Sequence, residues 1–337
     1  MIKRLLCGSL MLRNLLTCLL GFIFCITNVV IVCGSEAETS IPPMPEGYSS
    51  ELMIKAAFML NQIKLVDAKN VIVPENVVEQ KDIEYGKAGD KSLQLDLYSP
   101  KKMDKPAPGI IFIHGGGWTS GHRRDMKFYT VNFAKRGYVC ATVSYRLAGE
   151  ALFPAAVQDV KCAVRWMCAN AKKYNIDPDK IVVSGNSAGG YLALMTGYSS
   201  DVPELECDSG NVGVSSRPQA VINFYGPVDL TTDFARKKSL VVDFLGKSYD
   251  EDPKLHEFAS PISHLTKDDP PTLILHGTID STVPIKQADM LADKLKSFGI
   301  DYLYEKYEGW PHTMDLAEAV NQRCQYQMVQ FLEKHLK

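Results

Sequence analysis

Ser187, Asp280 and His312 are the residue types that together make an alcohol nucleophilic, and each stands beside a turn. A serine hydroxyl attacks carbonyl carbons poorly unless a base takes its proton and a third group holds that base. Ser187 lies in Gly185-Asn186-Ser187-Ala188-Gly189, between a β-branched run at 180–184 and a helix-forming stretch at 190–195. Glycine, any residue, serine, any residue, glycine in that setting is the sharp turn that lifts a serine above a sheet edge. Side chains two positions either side of the serine would strike the crossing strand and helix, and the serine backbone itself is strained. Asp280 closes Leu275-His276-Gly277-Thr278-Ile279-Asp280, directly after an apolar strand. His312 closes Glu308-Gly309-Trp310-Pro311-His312, ahead of the last helix. Asp229 also follows a strand and is the rival acid; the order of acid before histidine and the exposing turn at Gly277 favour Asp280.

A fourth piece, His114-Gly115-Gly116-Gly117-Trp118, also ends a strand. Glycines let backbone N–H groups approach a developing oxyanion with no Cβ in the way. The four parts agree in order and placement. The other polar residues read more plainly. His114 braces the glycine loop, and His276 packs in or at the end of its strand. His122, His256, His264 and His335 are surface or structural, and Asp159 and Arg165 pair with neighbours. Trp118 either walls a cleft or packs in the core.

Elements that could bring these residues together follow from the hydrophobic rhythm. From 109 onward, short apolar strands alternate with helices: strands at 109–114, 138–145, 180–184, 220–225, 272–276 and 302–307, helices at 126–136, 154–174, 284–298 and from 314 to the end. Such alternation means a mostly parallel sheet with helices on both faces, whose strand ends converge on one edge. Strands at 77–85 and 93–98 form a leading antiparallel hairpin with one wet face. Residues 52–66 carry a helical pattern of an extra element on or near the site. Residues 229–264 are longer and more polar than a crossover needs, an excursion near the site.

The chain has 337 residues, 46% of them hydrophobic, and a formal net charge of −2, an ordinary globular composition without the basic density of a nucleic-acid binder. A positive start, an apolar stretch at 15–33 and small residues at Gly34, Ser35 and Ala37 predict a signal peptide over 1–35, with an uncleaved anchor helix as the alternative. Residues 36–76 are then linker and extra helix, and 77–337 the catalytic domain. Four of the nine cysteines fall in the first segment; Cys140, Cys162, Cys168, Cys207 and Cys324 have neither disulfide-framework density nor zinc spacing.

At these residues the chain resembles the α/β-hydrolase fold esterases, in particular the bifunctional feruloyl and acetyl xylan esterases and the carboxylesterases related to hormone-sensitive lipase. The likeness also rests on Tyr145-Arg146-Leu147, on 153–160 and on Tyr174-Asn175-Ile176-Asp177-Pro178. It implies Ser187 as nucleophile, Asp280 as acid and His312 as base. It implies Gly116, Gly117 and Ala188 as oxyanion donors, with Gly115 as a further candidate. Asn186 stands where lipase-like relatives often carry Asp, which favours the xylan-esterase-like group. The expected function is an exported serine ester hydrolase without metal or cofactor, free of nucleic acid and, after signal cleavage, of membrane. Its expected substrate is a small-molecule or polysaccharide ester with a short acyl group, acetyl or feruloyl. The charges of 229–264 argue against a long acyl groove, while the more apolar 52–66 could serve as a cap. A prolyl-oligopeptidase-like peptidase and an inactive binding protein are the alternatives.

Overall fold

The computed structural model describes residues 41–68 and 70–337, so the signal segment at 1–35 lies outside the described residues. Runs such as Ile110-Ile111-Phe112-Ile113 have no polar face, and they form strands covered on both sides. Eight strands result: β1 (Val77–Ala88), β2 (Lys91–Pro100), β3 (Ala107–Ile113), β4 (Val139–Val143), β5 (Ile176–Asn186), β6 (Ala220–Phe224), β7 (Thr272–Gly277) and β8 (Tyr302–Tyr307). They lie in the order β1-β2-β4-β3-β5-β6-β7-β8. The β1–β2 and β2–β4 pairs are antiparallel and the rest parallel, so the hairpin makes the antiparallel edge expected of it.

The main helices are α1 (Glu51–Met59), α2 (Lys127–Ala134), α3 (Ala155–Ala169), α4 (Ala188–Tyr198), α5 (Ser239–Leu245), α6 (Pro253–Phe258), α7 (Lys286–Phe298) and α8 (Glu318–His335). Period-two alternation sorts the strand side chains into two cores. Ile111 and Val183 pack with Val160, Leu192 and Leu291 of α3, α4 and α7. Ile110 and Phe112 pack with Phe133, Val320 and Met328 of α2 and α8. The five described cysteines are free thiols. Among the described residues no helix is long and apolar enough to cross a membrane.

Three segments depart from the sequence reading. The long helix expected over 154–174 stops at Ala169, continues as one separate turn, and ends where Asn175 turns left-handed (φ 53°). The helix expected over 52–66 ends at Met59, because Asn61 adopts φ 54°; asparagine is among the few residues that tolerate that region. The chain then runs extended, with Leu65 bridging to Ala317. The excursion at 229–264 folds into short helices whose charged residues mostly face outward, while Val241 and Phe244 are buried and Leu240 borders a cavity. Counting its charges missed that amphipathic split.

Candidate active site

β5 ends at Asn186 and α4 begins at Ala188, so the chain reverses direction at Ser187, whose backbone sits at φ 53°, ψ −118°. Such a conformation costs about 1–3 kcal/mol and persists only where its surroundings hold it. Here the Ser187 N–H donates to the Phe224 carbonyl at 2.9 Å, and the Ser187 carbonyl accepts from the Tyr191 N–H at 2.9 Å. The turn is so tight that a Cβ on Gly185 would lie 2.3 Å from the Gly189 carbonyl carbon.

Ser187 Oγ lies 2.9 Å from His312 Nε2, and His312 Nδ1 lies 2.6 Å from Asp280 Oδ2. Asp280 is buried, and its Oδ1 accepts from the backbone N–H groups of Thr282 and Val283 at 2.8 Å each. Burial pushes this carboxyl up, but hydrogen bonds from His276 and His312 outweigh it and hold the group down at about 2. An ionised carboxylate can only accept, so His312 donates its Nδ1–H to Asp280 and turns the Nε2 lone pair toward the serine hydroxyl. A serine so placed can lose its proton as it attacks.

The rival acid lies elsewhere. Asp229 Oδ1 accepts from the N–H and hydroxyl of Thr231 at 2.8 and 2.6 Å, closing a local turn. His276 is buried with Nε2 2.8 Å from the Val283 carbonyl, which ties the strand end to the loop after Asp280. Arg146 grips Asp159, with Nη2 2.7 Å from Oδ1, and Arg165 pairs with Glu206.

The glycine loop runs against the elbow: a Cβ on Gly115 would lie 2.8 Å from the Asn186 carbonyl oxygen. Gly116 sits at φ 113°, a conformation open to glycine alone. Its carbonyl takes the N–H groups of Thr119 and Ser120 at 3.2 and 3.1 Å. The N–H groups of Gly116, Gly117 and Ala188 donate to no protein acceptor among the described residues. His114 braces the loop: its Nδ1 is 2.8 Å from the Gly115 carbonyl and its ring stacks on Tyr145 at 4.4 Å.

Beneath Ser187 lies a buried polar cluster that no motif announced. Asn186 Nδ2 donates to the Tyr225 hydroxyl at 3.1 Å and to Asp315 Oδ2 at 2.9 Å. The hydroxyls of Tyr225 and Tyr129 donate to the same carboxyl, Tyr129 at 2.8 Å. Asn321 Nδ2 donates to the Tyr129 hydroxyl at 3.0 Å and to the Asp315 carbonyl at 2.8 Å. Burial raises the Asp315 carboxyl above the ordinary range, although both tyrosines draw it back. The Tyr225 ring lies 4.6 Å from the His312 ring, so the cluster touches both the elbow and the base. The one available signal was position: Asn186 precedes the serine and Asp315 follows His312 by three residues.

Two cavities adjoin these groups. One of about 80 Å³ borders Ser187, Gly117, Trp118, Leu240, Val241 and Val283. Trp118 both walls it and packs, stacked on Phe244 at 4.6 Å. The other, about 240 Å³, borders His312 and α1. Among the described residues no group of three His, Cys, Asp or Glu side chains could hold a metal ion.

The family model described as BD-FAE matches residues 95–295, which include the glycine loop, Ser187 and Asp280. The chain belongs to the BD-FAE family. Esterase LipC of Mycobacterium tuberculosis (strain ATCC 25618 / H37Rv) is 31% identical over 250 residues, covering 72% of this chain and 61% of that protein. This BD-FAE chain thus spans less than two thirds of that curated relative. A truncated carbohydrate esterase from gut microbiota matches with TM-score 0.68 at 28% identity, over 77% of this chain and 96% of that one. Esterase Est2 of Thermogutta terrifontis, solved with propionate bound, matches with TM-score 0.66 at 29% identity, over 77% of this chain and 96% of that one. The fold of this BD-FAE protein is the α/β-hydrolase fold.

Proposed function

We propose that this protein is an exported serine carboxylic-ester hydrolase for short acyl esters. The observation that carries the reading is the unbroken line from Ser187 Oγ through the His312 ring to Asp280. Ser187 Oγ attacks the ester carbonyl carbon while its proton passes to His312 Nε2. The carbonyl oxygen, now negative, takes hydrogen bonds from the N–H groups of Gly116, Gly117 and Ala188. Asp280 stabilises the imidazolium. His312 then protonates the alcohol oxygen as the carbon–oxygen bond breaks, leaving an acyl-serine that water hydrolyses by the same sequence.

The cavity of about 80 Å³ beside Ser187 supports an acyl group from acetyl to butyryl over a feruloyl group or a long chain. The propionate bound in Est2 supports the same class. The apolar stretch and small residues near the start of the chain support export.

The test is labelling by a fluorophosphonate probe alongside p-nitrophenyl acetate hydrolysis. Labelling should map to Ser187 and vanish in Ser187→Ala. Folded protein that neither takes the label nor releases p-nitrophenol would end the reading.

A further inference from the structure

α1 is tied down on both sides of His312. At its start the Glu51 carboxylate accepts from the Ser281 hydroxyl, next to Asp280. Beyond its end, the Val66 N–H donates to the Leu316 carbonyl at 2.9 Å and the Glu318 N–H to the Lys64 carbonyl at 2.8 Å. Between these ties the cavity of about 240 Å³ opens beside His312, walled by Ile54, Phe58, Ile63, Leu65, Trp310 and Leu316. Lys55 and Thr313 are the polar side chains beside it, apart from His312.

The chemistry of the site decides what this space faces. The carbonyl oxygen must turn to the N–H groups of Gly116, Gly117 and Ala188, and the cavity next to Gly117 and Trp118 then takes the acyl group. The leaving oxygen must come within reach of His312 Nε2, because that nitrogen supplies its proton. The alcohol half therefore departs on the side of His312, where α1 closes the site. A sugar needs polar partners for its hydroxyls, and buried unpaired hydroxyls oppose binding. An alkyl or aryl group needs only area.

We propose that the groove under α1 is the alcohol subsite and that it selects short-acyl esters of apolar alcohols, aliphatic or aryl, over esters of sugars. The proposal rests on the ester-hydrolase reading and departs from the carbohydrate alcohol that the family resemblance suggests. Phe58 and Ile54, one helical turn apart on α1, are its specificity-determining residues.

The experiment measures kcat/KM for acetate release from ethyl, butyl and hexyl acetate and from acetylated xylose, using the full chain. The value should rise from ethyl to hexyl, by up to about fourfold for each methylene that enters the groove. Hexyl acetate should exceed acetylated xylose by about tenfold or more. Phe58→Ala should cut the hexyl-to-ethyl ratio by about tenfold and Phe58→Leu should restore most of it. Met59→Ala, on the exposed side of α1, should leave the ratio alone. Phe58 is half exposed, so these variants keep the fold. A flat or falling series with ethyl acetate still hydrolysed would overturn the proposal while sparing the ester-hydrolase reading. A Phe58→Ala effect confined to oligomeric state or to vesicle binding would overturn it too, giving the groove to a second copy or to a lipid surface. No acetate from any ester, p-nitrophenyl acetate included, would overturn both.

Discussion

The floor and the rim of the site are built from opposite materials. Under Ser187, Asn186, Tyr225, Asp315, Tyr129 and Asn321 share hydrogen bonds in a buried cluster. Above it, α1 turns Leu52, Met53, Phe58 and Met59 toward solvent, with exposures of 74, 53, 49 and 79%. Hydrogen bonds are directional, and a buried group left unpaired costs about 1–3 kcal/mol, so the floor resists rearrangement even though Asn186 Oδ1 has no partner among the described residues. Apolar contact is non-directional and scales with area, so the rim can change shape without disturbing the chemistry. Changes in the floor should therefore cost turnover or stability, while changes in the rim should reorder substrates.

The largest effect belongs to Ser187→Ala. It should lower kcat by about 10⁴-fold or more with little change in stability, since the hydroxyl makes few contacts apart from His312. A variant that kept a tenth of the parent's ester hydrolysis would remove Ser187 from the mechanism. Next comes Asp280→Asn, which should cost about 10³- to 10⁴-fold by withdrawing the charge that stabilises protonated His312. Asp229→Asn breaks only a local turn and should cost a few-fold at most. Assay of the two purified variants side by side decides between them, and the reverse ranking would move the acid to the loop after β6.

The floor's own contribution is tested by Asp315→Ala. It strips the acceptor from the Tyr225 and Tyr129 hydroxyls and from Asn186 Nδ2, and should destabilise the fold by about 3 kcal/mol or more in urea unfolding. On the rim, Met59→Ala should stay within about 0.5 kcal/mol. A loss below about 1 kcal/mol for Asp315→Ala would mean that the cluster relaxes as freely as the rim.

Asp280 and Asp315 also carry opposite pH signatures. Asp280, held at about 2 when folded, lies below its unfolded value, so its contribution is present above about pH 4 and is lost as pH falls toward 2. That contribution is about 2 kcal/mol, because a carboxyl held one pH unit lower in the folded state stabilises it by about 1.4 kcal/mol. Asp315, raised when folded, contributes below its unfolded value and loses that contribution as pH rises through the folded one. Chemical unfolding of the parent and of Asp280→Asn at pH 5 and pH 2.5 checks the larger signature. The parent should lose about 1.5 kcal/mol more than the variant over that interval, since about a third of the contribution remains at pH 2.5, and equal losses would show that Asp280 is not held low.

The same contrast explains what was legible in the sequence. The elbow and the glycine loop were readable because their geometry admits glycine alone: a Cβ at Gly185 would meet Gly189, and Gly116 sits at φ 113°. The parallel sheet was readable because strands covered on both faces must be apolar throughout, as in residues 110–113. Asp315 was not readable. A buried aspartate looks like a surface one until Asn186, Tyr225 and Tyr129, from distant segments, are brought to it. The end of α1 was missed because, past the left-handed turn at Asn61, residues 64–66 pair with 316–318, a long-range partnership that the local helical pattern does not show. The excursion at 229–264 misled by its charges, most of which lie on its outer side, while Phe234, Leu240 and Val241 line the cavity beside a single charged residue of the segment, Lys238.

The smallest effect is the sharpest test of that last point. If 229–264 supplies the acyl wall through Leu240, shortening that side chain should lengthen the preferred acyl group without harming the floor. Leu240 sits where a Cβ on Gly117 would lie 2.8 Å from its Cδ1, so its methyls stand directly over the glycine loop. It is partly exposed, so Leu240→Ala should cost less than the roughly 2–5 kcal/mol of a fully buried leucine and the protein should stay folded. In the parent, kcat/KM for p-nitrophenyl esters should be highest at acetate or butyrate and should fall at octanoate and palmitate, as the chain meets the wall. In Leu240→Ala the octanoate-to-acetate ratio should rise by about fivefold, roughly the worth of one or two methylenes newly accommodated. The alcohol series measured with Phe58 variants should be unchanged in slope, because the two cavities lie on different sides of the reacting carbonyl. A parent profile peaking at octanoate or beyond would replace the short-acyl reading with a lipase-like one. A Leu240→Ala profile identical to the parent's would take the acyl wall away from Leu240 and leave it to Trp118, Val241 and Val283.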